Sequence, residues 1–255
     1  MIIYKSEDEI KIMKRAGELV ANVLLKLENT VKPGVSTGYL DKIAEEMIVS
    51  HNAKPAFKGY LGRISKIPFP GTICASINEE VVHGIPGKRV LKEGDLISID
   101  VGVRLDGFFG DAARSFKVGA VSRKVDKIMQ TTWDALNDAV DKCVAGNRLG
   151  DISNVIELRA KSNGYSVVED FVGHGIGRNM HEDPQVLNYG PAHQGPLLKK
   201  GIVLAIEPML NEGGSDVEVL GDSWTVVTKD RKISCHFEDT VAITSEGSII
   251  LTRPD

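Results

Sequence analysis

Apolar residues recur in this chain first at helical spacing. Ile10, Met13, Gly17, Val20, Leu24 and Leu27 fall on one face of an amphipathic helix. Ser6-Glu7-Asp8-Glu9 ahead of them has the form of a capping box, and Pro33-Gly34 breaks the run. A second helix is predicted with Leu40, Ile43, Ala44 and Met47 as its buried stripe. Residues 52 to 72, punctuated by Pro55, Gly59, Gly62, Pro68, Pro70 and Gly71, read as a long irregular loop carrying Phe57, Tyr60 and Phe69. A strand-like TICASI segment then leads to Val81-Val82-His83-Gly84-Ile85-Pro86-Gly87.

The period changes from Leu96 onward. An apolar run to Val103 is interrupted by Ser98, Asp100 and Gly102, turns at Asp106-Gly107 and returns through Phe108 and Phe109 to Asp111. Asp-Gly between β-prone runs predicts a two-residue type I′ turn, which needs positive φ at both positions. Leu105 then pairs with Phe108, Val103 with Gly110 and Gly102 with Asp111, leaving Asp100 and Asp111 on one face, a diagonal step apart. Two carboxylates about 4 Å apart repel by ~4 kcal/mol at an effective dielectric of ~20, so a cation is expected between them.

Further on, Ser122 opens a third helix with Val125, Ile128, Met129, Leu136 and Val140 inward. Gly146 precedes a fourth, with Ile152, Val155 and Ile156 inward, ending at Asn163-Gly164. The segment FVGHGIGRNMHEDP, a strand IVLAIEPML and a meander from Trp224 to Leu251 complete the chain. Two passages repeat in order. Residues from Gly34 match those from Gly146, and residues from Leu91 match those from Leu198, at offsets of 112 and 107. The second match sets Glu207 where Asp100 sits. Residues 1–255 therefore read as a single domain of two similar α+β halves, roughly 1–120 and 121–255, each with helices followed by strands.

Composition narrows the class. With 255 residues and 42% hydrophobic content the chain can bury a sizeable core, and a net charge of −4 gives no electrostatic footprint for nucleic acid. No apolar run reaches membrane-spanning length, and MIIYKSEDEIK lacks a signal-peptide core, so a cytoplasmic location is expected. Three widely spaced cysteines, Cys74, Cys143 and Cys235, argue against a disulfide framework or cysteine zinc site and fit a reducing compartment.

Five residues carry candidate chemistry: Asp100, Asp111, His174, Glu207 and Glu238. His174 stands in Gly173-His-Gly-Ile-Gly177, where glycines allow close approach of a ligand; Glu238 shares a strand face with Ser234 and His236. Four carboxylates and an imidazole suit hard or borderline divalent ions, and four negative charges balance two of them. His236, Asp239 and Asp106 read as ordinary polar residues.

Asp100 and Asp111 with ten residues between them, HGIGRNMHE (174 to 182), the strand end IEP (Glu207) and HFED (Glu238) together resemble the methionine aminopeptidases of bacterial type I, within the metal-dependent "pita-bread" peptidases. The resemblance runs from Lys5 to Leu251. It implies a pseudo-twofold α+β fold, a curved antiparallel sheet backed by two helix pairs. It implies removal of an N-terminal methionine from nascent proteins and peptides with a small second residue, by attack of a metal-bridging hydroxide on the first peptide bond. Two divalent ions (Co, Mn, Fe(II) or Zn) are implied, Asp111 and Glu238 bridging them, His174 and Glu207 completing one site and Asp100 the other. Glu207 is implied as the proton shuttle, and His83 and His181 as catalytic residues touching substrate. The implied methionine pocket comprises Phe57, Phe69, Cys74, His83, Met180 and Trp224. The implied partner is a peptide or nascent-chain N-terminus on a monomeric enzyme, with docking on ribosomes left open. Proline-directed peptidases share these motifs but add an N-terminal domain, and a non-catalytic relative would lack a ligand. Two departures from the common pattern touch the pocket: a longer loop from Tyr60 to Cys74 (LGRISKIP), and Met180 in place of an aromatic.

Overall fold

A capped first turn starts the fold as its sequence dictates. In the computed structural model, which describes residues 1–62, 65 and 67–254, helix α1 (Glu7–Glu28) opens on Ser6. The Ser6 hydroxyl accepts from the Glu9 N–H at 3.2 Å and the Glu9 carboxylate accepts from the Ser6 N–H at 2.8 Å. All six residues of the predicted face are buried. Helix α2 (Thr37–Ser50) buries Leu40, Ala44 and Ile48; Ile43 and Met47 are only partly covered. The stripe is thus rotated slightly from the expected one, because Ile48 rather than Met47 completes the row toward the sheet. Helices α3 (Arg123–Asp141) and α4 (Leu149–Ser162) follow, Ser122 capping α3 through the Val125 N–H. Here Met129 and Val155 flank the buried rows rather than lie within them.

The hairpin forms in the expected register. Strands Leu96–Leu105 and Phe108–Lys117 pair Leu105 with Phe108, Val103 with Gly110 and Gly102 with Asp111. Asp106 (φ 48°) and Gly107 (φ 86°) both take the left-handed conformation the turn demands. Ile73–Ile77 pairs with the other edge of the first strand, setting Cys74 opposite Asp100. The loop expected over 52 to 72 is not wholly irregular: Lys54 and Pro55 pair with Arg104 and Val103. A proline is tolerated there because the pairing lies at the sheet's edge. Within the longer loop, Arg63, Ile64 and Lys66 lie outside the described residues.

The later strands form a five-stranded antiparallel sheet in the order Ser248–Ile250, Asp239–Ile243, Val203–Ile206, Gly173–Gly175, Glu182–Val186. The two repeated passages make the same backbone hydrogen bonds. Gly34 N–H donates to Leu91 O (2.9 Å) and Gly146 N–H to Leu198 O (3.0 Å); Leu91 N–H donates to Val35 O and Leu198 N–H to Asn147 O (both 2.8 Å). Gly38 and Gly150, related by the same offset, each press on backbone. A Cβ would lie 2.9 Å from Gly87 O at the first and 2.6 Å from Pro191 O at the second. Helices α1 and α2 enclose one large apolar core with the hairpin and Ile73–Ile77, while α3 and α4 enclose the other with the later strands. Among the described residues no helix is long and apolar enough to cross a membrane.

Candidate metal centre

The two sheets abut where the acids are. Glu238 N–H donates to Ala113 O (2.9 Å), and the Thr240 hydroxyl both donates to Asp111 O (2.7 Å) and accepts from Asp111 N–H (3.1 Å). Asp100 and Asp111 rise from the hairpin, His174 from Gly173–Gly175, Glu207 from the end of Val203–Ile206 and Glu238 from just before Asp239–Ile243. All five line one cavity of about 620 Å³. Asp111, His174 and Glu238 are buried and each offers a ligand atom within 4.8 Å of the others. His174 Nε2 lies 3.8 Å from Asp111 Oδ2 and 3.7 Å from Glu207 Oε1.

Burial pushes the Asp100 carboxyl up to about 7. Asp111, Glu207 and Glu238 are raised well above the usual carboxylate range, by burial first and then by one another's charge. Burial holds His174 down to about 3 and His83 to about 4, so both imidazoles are neutral near pH 7. The His174 Nδ1 lies 2.9 Å from the Gly175 carbonyl, which can only accept. The proton therefore sits on Nδ1 and the Nε2 lone pair faces the acids, the tautomer a metal ligand needs. Asp100 Oδ1, Asp111 Oδ1 and Glu238 Oε1 are buried without a hydrogen-bond partner. Leaving such atoms unpaired is costly, and a divalent cation satisfies all three. The donor set, oxygens with one neutral imidazole, suits it.

The remaining predicted residues surround this cluster. His83 lines the cavity in a left-handed conformation (φ 61°) with its ring edge-on to Trp224 and Phe171. A non-glycine residue held there is overdetermined by its surroundings, a condition common at functional sites. His181 stands at the exposed rim, its ring centroid 4.3 Å from that of His174 and its Nδ1 2.9 Å from the Tyr60 hydroxyl. Phe69, Cys74 and Trp224 form a buried apolar cluster bordered by Phe57; Met180 packs beside Phe57 from a neighbouring cluster. The Trp224 indole N–H donates to Ile67 O (2.9 Å), tying the described end of the long loop to the pocket wall.

Among the residues that line or adjoin the site, sequence reasoning passed over Tyr60, Phe171 and His236. Tyr60 and Phe171 line the cavity, and nothing but their aromatic character marked them. His236, read as an ordinary polar residue, is 2% exposed with Nε2 unpaired and 3.8 Å from Glu207 Oε2. Its shared strand face with Glu238 was the available signal. Asp239 and Asp106 do not line the cavity. Asp239 is buried between Arg114 (2.6 Å) and Arg253 (2.7 Å), and Asp106 pairs with Arg15 at the hairpin tip.

A paired-sheet fold converging on carboxylates and one neutral imidazole defines a candidate centre for divalent metal. The model of metallopeptidase family M24 matches residues 11–245, and the chain belongs to that family. Within it, the chain is 50% identical to the methionine aminopeptidase of Clostridium perfringens over 252 residues, covering 99% of both chains. It superposes on the crystal structure of methionine aminopeptidase from Rickettsia prowazekii with a TM-score of 0.95 at 42% identity, covering 99% of this chain and 100% of that one. The prolidase of Pyrococcus horikoshii, 23% identical with a TM-score of 0.79, shares the pita-bread fold over all of this chain and 65% of its own.

Proposed function

We propose that this chain is a methionine aminopeptidase that removes the N-terminal methionine from proteins and peptides whose second residue is small. One observation carries the reading: a buried cluster of four carboxylates and a neutral imidazole forms the floor of a cavity walled by Phe57, Phe69, Cys74, Met180 and Trp224. The acids provide the place for a divalent metal and the wall the place for a thioether side chain. Two divalent ions would balance the charge of the four acids, and Asp100, Asp111, His174, Glu207 and Glu238 would hold them. Such ions would supply Lewis-acid polarisation of the scissile carbonyl and a water of low pKa as nucleophile.

The chain's own groups do the rest. The free α-amine of the substrate would be held at the metal-bearing acid cluster, limiting the reaction to one terminal residue. His181, at the cavity rim, donates a hydrogen bond to the tetrahedral oxyanion. Glu207 takes a proton from the attacking water and carries it toward the leaving amine, while His83 bonds the peptide nitrogen. The two halves act as one catalytic domain, 1–255, and a monomer suffices because every named residue comes from a single chain. Its working partner is an emerging polypeptide N-terminus in the cytoplasm.

The test is turnover of Met-Ala-Ser against a peptide with proline second, with bound metal quantified. Rapid release of methionine from Met-Ala-Ser, lost on chelation and restored by Mn, Fe(II), Co or Zn, is expected. Preference for the proline peptide, or full activity of verified metal-free protein, overturns the reading.

A further inference from the structure

Lys5 is a buried cation far in sequence from the site and close to it in space. Its side chain and that of Glu182 are each 3% exposed, and Lys5 Nζ donates to Glu182 Oε2 at 2.6 Å and to Ile3 O at 3.0 Å. The other Glu182 oxygen accepts from the Asn179 N–H at 3.1 Å. Glu182 directly follows His181 and begins the strand that pairs with Gly173–Gly175, bearer of His174. The ion pair therefore closes the short loop 176–181, whose end carries Met180 and His181 into the cavity.

The packing leaves this loop little alternative. A Cβ on Gly177 would lie 2.3 Å from Lys5 Cε and 2.9 Å from Glu182 Oε1, so any larger residue there would have to displace the pair. The Lys5 backbone is fixed in turn: its N–H donates to Gly201 O at 2.7 Å, and its neighbour Ser6 caps α1. On the outer face, Arg178 pairs with Glu9 of α1 at 3.0 Å and lies 4.4 Å over the Phe108 ring. A chain this tightly held needs one arrangement at its apex, and a buried ion pair is most useful as a device that specifies register.

We propose that Lys5 is a positioning residue for the reaction: its buried pair with Glu182 sets the loop that aims Met180 at the side-chain pocket and His181 at the scissile bond. The proposal rests on the function proposed above, in which those two residues touch substrate. Displacement of such groups by about 1 Å can cost on the order of 10²-fold in rate. The consequence falls on kcat and on the preference for methionine, not on metal binding, since no metal ligand lies in the loop.

The experiment compares wild type, Lys5→Met and the uncharged double variant Lys5→Met/Glu182→Gln as full-length, metal-loaded chains. Three quantities are read: kcat and KM on Met-Ala-Ser and Leu-Ala-Ser, bound metal, and hydrogen–deuterium exchange across residues 176–182. Expected are a fall in kcat of roughly tenfold or more with smaller change in KM, a shrunken preference for methionine over leucine, faster exchange in 176–182, and metal content near wild type. A folded variant with wild-type kcat and preference overturns the proposal even if it melts earlier, since the pair would then serve stability alone. If Lys5→Met fails to fold, the double variant, free of a lone buried charge, decides by the same readings; failure of both to fold also overturns it. Wild-type protein inactive on Met-Ala-Ser fails the proposed function instead, and unchanged exchange in 176–182 would then overturn the positioning role by itself.

Discussion

Glu238 is tied to the hairpin by its own backbone, through the 2.9 Å hydrogen bond from its N–H to Ala113 O. That bond joins the last acid of the cluster to the strand bearing Asp111, so the two carboxylates approach through main-chain geometry rather than side-chain reach. Arg114 adds a second tie, donating to Glu238 O at 2.5 Å and to Asp239 Oδ1 at 2.6 Å.

Glu238→Ala removes a carboxylate offered to metal from the centre of the cluster. It is expected to reduce bound metal and bring activity to background, while the hydrogen bond to Ala113 keeps the strands together. Metal analysis and turnover on one sample check this; full activity in the variant would refute it.

His181→Ala tests a group that is not expected to hold metal. A fall in kcat of roughly 10²-fold is expected, the size of losing one oxyanion donor, with metal content near wild type. Loss of metal would make His181 a ligand instead.

Asp239→Asn probes the seam itself. Asp239 is fully buried, and its replacement removes one partner from the pairs with Arg114 and Arg253. Because Arg114 also holds the Glu238 carbonyl, the expected loss is about 3 kcal/mol of stability. Urea unfolding checks it, and a change within a few tenths of a kcal/mol would show that water replaces the pairs at no cost.

Much of this arrangement was legible in the residues. Asp106-Gly107 fixed the hairpin register through a turn chemistry with few solutions, and the repeated passages anticipated the matched bonds of Gly34 with Leu91 and Gly146 with Leu198. Acid and imidazole types pointed to the five residues that the fold gathers in one cavity. What stayed hidden depends on tertiary contact. Met47 and Ile48 are consecutive apolar residues about 100° apart around α2, and only the sheet beneath the helix decides which of them is buried. The pairing of Lys54-Pro55 has no propensity signal because proline argues against a strand. His236 looks like any polar strand residue until burial leaves its Nε2 beside Glu207. Lys5 and Glu182 stand 177 positions apart, and no local pattern relates them.

The pH dependence of the metal-free chain follows from the same acids. Asp100, Asp111, Glu207 and Glu238 have folded pKa values raised above their unfolded ones, so the folded state binds more protons and stability falls as pH rises through the raised values. His83, His174 and His236 oppose this below the ordinary imidazole value of 6.5, because burial keeps them neutral in the fold while the unfolded chain protonates them. Above about pH 6.5 only the acids act. The chelated protein is therefore expected to lose melting temperature from pH 6.5 to 8, and metal to stabilise it more at the upper end. A melting temperature of the chelated protein that rises across this window would contradict the carboxylate shifts.

Specificity follows from the shape of the wall. Phe57, Phe69, Cys74, Met180 and Trp224 are apolar, Phe69 and Trp224 meet edge to face with centroids 5.2 Å apart, and Trp224 is fixed by its bond to Ile67 O. Such a pocket accepts an unbranched chain of four heavy atoms. Norleucine differs from methionine by one methylene for sulfur, and pockets distinguish single methylenes by only ~1–3 kcal/mol. Norleucine-led peptides are thus expected to be cleaved, more slowly than methionine-led ones. Alanine leaves the pocket empty, β-branched valine crowds it near Cβ, and lysine would bury an unpaired charge. All three are expected to be nearly inert. Within the wall, Met180→Ala should widen the pocket and raise turnover of Phe-led relative to Met-led peptides. The measurement is kcat/KM on X-Ala-Ser for the six side chains, with Met-X-Ser from glycine to leucine to find the limit at the second residue. Cleavage of Ala-led peptides as fast as Met-led ones would make this a general aminopeptidase and remove the apolar wall from its specificity.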